Sequence, residues 1–366
     1  MLLKTLTTHS EIRREKFDAL TGLRAIAVTL VFIYHNRKYW REDVHGELIR
    51  LFNEFHIGVS IFFVLSGFLI AFNYGDKIFS NLKSYSNYIL IRMARILPLY
   101  WLILTAYYLD PRFGKMDFSA LTYTLTHGLS NKYNLYAIAQ SWSLSVEMCF
   151  YFLAPLLFFI ERKKIVYLFV AAISLFIITW AAGEIWFNVN GNPNQFFSPI
   201  NFLFNSTFPG RSLEFIAGML LARAVKKKME ILNWKYKTLI GFLGIFLTSY
   251  ALGFFQNEAY RHGYEHPIGR IIFMTILPFF IVLMIAGLIT EKTKIQRFLS
   301  WRFLILLGNA SYAFYLIHIS YVNIRMREIY LGPDRNFIFL WALSIILYLF
   351  FEKPIYNGVR KLLKKN

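Results

Sequence analysis

The chain has one cysteine, Cys149, in 366 residues. That excludes an intrachain disulfide and a thiolate metal cluster, and it leaves the redox character of the compartment unread. Acidic residues are scarce, 21 against 40 Lys and Arg. Charged residues of both signs reach only 17%, while hydrophobic residues make up 57% and aromatics 19%. Such a chain is too apolar for a soluble domain. The sequence also lacks a phosphate-cradling P-loop, a zinc-binding H-E-x-x-H and a dinucleotide fingerprint, so none of those chemistries has support. No internal repeat is visible, which argues against a repeat-built transporter.

What is present is a series of long apolar runs with the charges clustered between them. Taking about 17 to 25 residues per span, about ten candidates fall near 19–36, 57–74, 93–109, 142–160, 165–187, 210–222, 238–255, 271–290, 303–321 and 337–351. In lipid each backbone amide must be satisfied within the segment, which forces helices. The expected fold is therefore all-α, a polytopic transmembrane helical bundle forming one membrane domain over residues 1–366. A net charge of +19 suggests nucleic acid only if the basic residues form a stripe beside stacking aromatics. They lie in the gaps instead, where topology explains them and no nucleic-acid partner is expected.

With ten spans and a cytoplasmic N-terminus, 26 of the 40 Lys and Arg fall on the inner side and 12 on the outer. Clusters at Arg162-Lys163-Lys164 and Lys226-Lys227-Lys228 show the bias, as do the Lys292–Arg302 loop and the tail. Residues 1–18 are then a cytoplasmic N-terminal segment and 353–366 a basic cytoplasmic tail. The first apolar run is too long for a signal-peptide h-region and is expected to remain as the first span. The outer segments 110–141 and 188–209 are long and polar, with Asn192-Pro193-Asn194 as a turn signal, and are candidate binding surfaces.

Arg24 lies inside the first span, where a charge costs about 2.5–3.5 kcal/mol and needs a partner or a wet cavity. His35 follows eleven residues later, on nearly the same helix face and about 16 Å further along the axis. One face thus carries a deep cation and a shallow imidazole; pairing of Arg24 with a lipid phosphate and an interfacial His35 is the plainer alternative. Glu147, in Ser141-Trp142-Ser143-Leu144-Ser145-Val146-Glu147, lies near the outer end of the fourth span. It could orient His35 and raise its basicity, or simply join two helices. Arg92 and Arg95 share a face at the inner end of the third span, where they could grip phosphates or act as ordinary positive-inside anchors. His318 and Glu352 read as packing or capping groups, Arg211 and Glu214 as a local salt bridge, and Ser143 and Ser145 as packing or capping hydroxyls. The run Phe62-Phe63 to Ser66-Gly67 reads as close helix packing by small residues.

Five segments together resemble the acyltransferase-3 family of integral-membrane acyltransferases. They are Leu20-Thr21-Gly22-Leu23-Arg24 running to His35, Gly58-Val59-Ser60 through Gly67-Phe68, Arg92-Met93-Ala94-Arg95 through Tyr100, Trp142-Ser143-Leu144-Ser145-Val146-Glu147, and Ser311-Tyr312 through His318. The resemblance implies that Arg24 and His35 form the family's Arg-ten-residues-His pair, Arg92 and Arg95 its paired arginines, and Glu147 its acidic residue. Two departures stand out. Thr21 and Ser60 occupy positions where many members carry Asp, and Met148-Cys149 replaces the common Glu-Gln.

The resemblance also implies an activity and a role for each of these residues. His35 and Glu147 are the expected catalytic pair, with Arg24 serving both catalysis and donor binding, and Arg92 and Arg95 bind the donor. The donor is acyl-CoA, with acetyl-CoA foremost, and no tightly bound cofactor or metal is expected. The acceptor is a hydroxyl of an extracytoplasmic cell-envelope glycan or lipid-linked saccharide, reached from the bacterial inner membrane. The chain is expected to act as a membrane domain alone, without the soluble extension some members carry. A transporter or flippase lined by Arg24, His35 and Glu147 is the alternative from a different class; a purely structural scaffold leaves Arg24 unexplained.

Overall fold

The computed structural model describes residues 2–37, 46–76, 81–110, 119–191, 193–328 and 333–365. Among these every regular element is a helix, and one isolated bridge joins Ser130 to Phe196. The principal helices are α1 (Leu2–Asn36), α2 (Gly46–Asn53), α3 (Ile57–Tyr74), α4 (Leu82–Leu109), α5 (Trp142–Lys163) and α6 (Ile165–Asn190). They continue with α7 (Phe208–Lys227), α8 (Lys237–Gly253), α9 (Pro267–Thr290), α10 (Lys294–Leu299), α11 (Arg302–Ile317) and α12 (Arg335–Leu363). Both α9 and α12 contain a π-turn, at Ile272–Ile276 and Tyr348–Glu352.

Seven of the helical stretches are long and apolar enough to cross a membrane: Phe17–Asn36, Gly46–Tyr74, α4, Ala139–Lys163, Ile165–Ile185, α9 and α12. Two shorter apolar helices, α8 and α11, fall where further spans were expected. The remaining expected span, 210–222, lies in α7, whose Arg211, Glu214, Arg223, Lys226 and Lys227 reduce its apolarity. The chain is a multi-pass membrane protein in which seven helices qualify by length and composition among the described residues, against about ten expected.

The chain forms two compact units, each discontinuous in sequence. The first comprises Met1–Phe72 and Glu214–Ser311, and the second Asn73–Leu213 and Tyr312–Asn366. In the first unit small residues set the distances between helices. A Cβ on Gly67 of α3 would lie 2.2 Å from Phe215 O, and one on Gly218 of α7 would lie 2.1 Å from Val64 O. The two backbones therefore meet at reciprocal glycines, the close approach that membrane helices use in place of a hydrophobic driving force. A Cβ on Gly58 would lie 2.2 Å from Ala27 O of α1 in the same sense, and at Gly67 the run from Phe62 packs closely as its composition suggests. Helices α8 and α9 repeat the device with Gly241 against Met284 and Gly287 against Thr238.

In the second unit aromatic side chains tie helices together through hydroxyls. Pro98 interrupts α4 and removes one donor from its ladder. Tyr312 of α11 donates to Ile96 O at 2.6 Å, and Tyr100 donates to Thr122 O at 2.8 Å. The two long segments expected on the outer side are knitted to one another. Phe197 N donates to Leu129 O at 3.0 Å, Asn131 N to Gln195 O at 3.1 Å, and Tyr133 Oη to Asn194 Oδ1 at 3.0 Å. Of the expected turn, Asn192 lies outside the described residues.

Gly218→Ala should force α3 and α7 apart and destabilise the first unit by about 1–3 kcal/mol. Gly358→Ala, where nothing lies within 4 Å, should be neutral or gain up to about 1 kcal/mol from helix propensity. Thermal unfolding in detergent distinguishes the two, and equal behaviour would refute close packing at Gly218.

Candidate active site

In the first unit, Arg24 and His35 both lie on α1 and both are half-buried. Arg24 faces the ring of Phe62 on α3, with its guanidinium carbon 5.9 Å from the ring centroid. A weakly hydrated guanidinium over an aromatic face is one way to hold a cation in an apolar setting. His35 is the penultimate residue of α1. Its ring lies edge-on to Tyr34 at 4.6 Å.

A polar network surrounds this end of α1 that sequence reasoning missed. Tyr34 Oη lies 2.7 Å from His262 Nε2, and His262 Nδ1 lies 3.0 Å from Glu265 Oε1. A neutral His262 donates from Nδ1 to the carboxylate and accepts the tyrosine proton at Nε2. Burial, then the neighbouring His56, pushes His262 down to about 4, against the opposing pull of Glu265 and Glu54. Glu54 is fully buried; its Oε1 accepts from Gly263 N at 2.7 Å and Gln256 Nε2 at 2.6 Å, and its Oε2 lies 3.2 Å from His56 Nε2. Arg37 bonds Asn53 and the carbonyl of Tyr34. The loop carrying His262 is more than 200 residues away in sequence from its partners, so no local spacing announces it.

The second unit holds Arg92, Arg95 and Glu147. Arg92 is enclosed by tyrosines, with its guanidinium carbon 4.8 Å from the ring centroid of Tyr74, 6.0 Å from that of Tyr88 and 5.9 Å from that of Tyr151. Tyr151 donates its hydroxyl to Glu147 Oε1. The structure thus gathers Arg92 and Glu147, which sequence reading assigned to opposite ends of the membrane, around one buried tyrosine. Arg95 is half-buried one turn beyond Arg92. Tyr151 stands four residues after Glu147, a helical neighbour legible from spacing, yet its approach to Arg92 depends on how α4 meets α5.

The segment leading into Glu147 is fixed by hydrogen bonds. Gln140 Nε2 donates to Tyr315 O at 2.9 Å and Leu316 O at 2.7 Å, and Ser143 Oγ lies 2.7 Å from Tyr315 Oη. Ser145 Oγ donates to Leu125 O, and Ser141 Oγ sits 2.8 Å from Nε2 of the fully buried His127. Burial drives His127 down to about 4. Ser141, Ser143 and Ser145 each donate to a backbone carbonyl, those of Ile138, Gln140 and Leu125. His318, also fully buried, has Nδ1 2.7 Å from Tyr315 O. Arg211 lies 5.9 Å from the Trp142 ring centroid and bonds Asn205 O at 3.2 Å. Among the described residues no group of His, Cys, Asp and Glu is arranged to hold a metal.

The family model described as an acyltransferase domain matches residues 17–352. A protein of Staphylococcus aureus strain COL, provisionally named an O-acetyltransferase, is 25% identical over 99% of this chain and 59% of its own length. Acyltransferase MdmB of Streptomyces mycarofaciens is 25% identical over 89% of this chain and 84% of its own. The chain therefore spans about three fifths of the length of the S. aureus relative. No solved structure matches the chain.

His127 and His262 both have folded-state pKa values below the ordinary histidine value. Each unfolded imidazole binds a proton that the folded one refuses, so stability is fully present above about pH 6.5 and is lost as pH falls toward 4. The loss should be on the order of 3 kcal/mol for each histidine, measured by thermal unfolding between pH 4 and 7. His127→Gln keeps a partner for Ser141 and removes one titration, so it should flatten that slope; an unchanged slope would exclude His127 as a contributor.

Proposed function

This chain belongs to the acyltransferase-3 family, and we propose that it is a membrane O-acyltransferase acting as one catalytic domain. It moves an acyl group, acetyl foremost, from a cytoplasmic acyl-CoA to a hydroxyl of a cell-envelope glycan or lipid-linked saccharide across the bacterial inner membrane. The observation that carries this reading is the family match over residues 17–352, a range within which Arg24, His35, Arg92, Arg95 and Glu147 all fall. The names of the staphylococcal and streptomycete relatives support an acyl, and specifically an O-acetyl, transfer. Ten spans with both termini cytoplasmic are supported by the bias of Lys and Arg and by a helix at each of the ten expected places.

His35 takes the proton of the acceptor hydroxyl as its oxygen attacks the thioester carbonyl. The carbon–sulfur bond breaks, and the thiolate, whose conjugate acid has a pKa of ~8.5, leaves and takes the proton back from the imidazolium. Arg24 stands on the same face of α1 as His35 and supplies positive charge to donor or oxyanion. Arg92 and Arg95 hold donor phosphates, and Glu147 is the acidic residue of the reaction.

Membranes from an envelope-competent host, incubated with radiolabelled acetyl-CoA, should pass label into glycan and lipid-linked fractions. His35→Ala and Glu147→Gln should cut that rate by about 10²–10⁴-fold. Arg92→Lys and Arg95→Lys should instead raise KM for the donor, by about tenfold, since Lys cannot form a bidentate phosphate contact. Equal labelling by wild type and His35→Ala removes His35 as the base; no labelling by wild type, with acceptors present, overturns the assignment in favour of transport.

A further inference from the structure

The first unit contains a cavity of about 970 Å³ where the C-terminal ends of α7 and α9 meet the start of α8 and the turn into α10. This volume is within the range of specific small-ligand sites, about 300–1,000 Å³. Five lysines line it, Lys228, Lys235, Lys237, Lys292 and Lys294, against a single carboxylate, Glu291. We infer that this cavity binds the phosphate headgroup of an anionic membrane lipid, a role separate from acyl transfer.

The floor of the cavity is already neutralised. Glu291 accepts from Lys237 N at 2.8 Å, Thr238 N at 3.0 Å and Thr238 Oγ1 at 2.7 Å, and Lys237 Nζ stands 3.2 Å from it. Partial burial would raise the Glu291 pKa, but these donors from Thr238 and Lys237 outweigh it and hold the carboxyl below its ordinary value. The helix N-terminus of α8 is thus filled by the protein's own anion. Lys237, 2% exposed, is engaged by Glu291 and by the carbonyls of Leu232 and Trp234.

The remaining four lysines are exposed around the rim and have no acid among the lining residues left to answer them. Their position at the ends of apolar helices is that of a membrane–water boundary. Trp234 and Leu239, which also line the cavity, are 58% and 47% exposed. An anion with apolar tails matches both features: its phosphate meets the lysines, and its chains lie along the exposed apolar flank. A free nucleotide phosphate would share the charge but not the flank.

The test is native mass spectrometry of the purified full-length chain, delipidated and titrated in mixed micelles with phosphatidylglycerol or phosphatidylcholine. Wild type should retain phosphatidylglycerol at least about tenfold better than phosphatidylcholine. Lys235→Gln/Lys292→Gln/Lys294→Gln should lose that preference, while Lys353→Gln/Arg360→Gln/Lys361→Gln, which removes the same charge elsewhere, should keep it. Should the first triple variant fail to fold, Lys292→Glu alone carries the same expectation. Equal uptake of the two lipids, or a preference that survives the cavity variant, overturns the inference. Displacement of bound phosphatidylglycerol by equimolar coenzyme A overturns it in favour of a nucleotide site. Each readout is independent of catalysis, so failure here leaves the acyltransferase reading untouched.

Discussion

A charge or an unpaired amide in the hydrocarbon layer has no water to turn to, and must find its partner within the protein. From that constraint comes the helical fold, because only a helix satisfies its backbone within one segment. The same constraint explains why the ionisable residues inside these helices are enclosed by unusual neighbours. Arg92 sits among three tyrosine rings, Arg24 over Phe62, and Glu147 under the hydroxyl of Tyr151. Aromatic rings answer a cation without adding a second charge that would itself need solvation. Lipid tails offer helices no hydrophobic reward for pairing, so glycine-mediated approach carries much of the packing in the first unit.

Much of this was legible in the sequence because lipid leaves few options. The apolar runs marked the helices, and the eleven-residue step from Arg24 to His35 put both on one face of a continuous α1. Gly67 reads as a packing residue, and the structure places a backbone carbonyl where its Cβ would be. Span counting was less secure where helices are short or carry charge. Helices α8 and α11 are short for a full crossing, and α7 trades apolarity for the arginines and lysines at its ends.

The features that the sequence hid are non-local. Tyr34 and Glu54 meet the loop around His262 across more than 200 residues, and nothing in either segment names the other. The pairing of Arg92 with Tyr151 depends on how two helices are set against each other, a quantity that periodicity does not contain. For the same reason the sequence alone sets Arg92 and Glu147 at opposite faces of the membrane. The linear order of a span gives depth only roughly, and a long arginine reaching toward a tyrosine closes much of the difference.

The Ser141–His127 pair shows why distance alone does not make a catalyst. A serine oxygen 2.8 Å from an imidazole nitrogen has the spacing of a nucleophile and its base. The hydroxyl has one proton, however, and Ser141 gives it to Ile138 O at 2.6 Å. His127 Nε2 must then be the donor in the second bond, so that nitrogen holds a proton and has no lone pair with which to accept one. Both residues are also fully buried, out of reach of a thioester. Acyl chemistry needs a group that combines a desolvated setting with access, which this buried pair lacks.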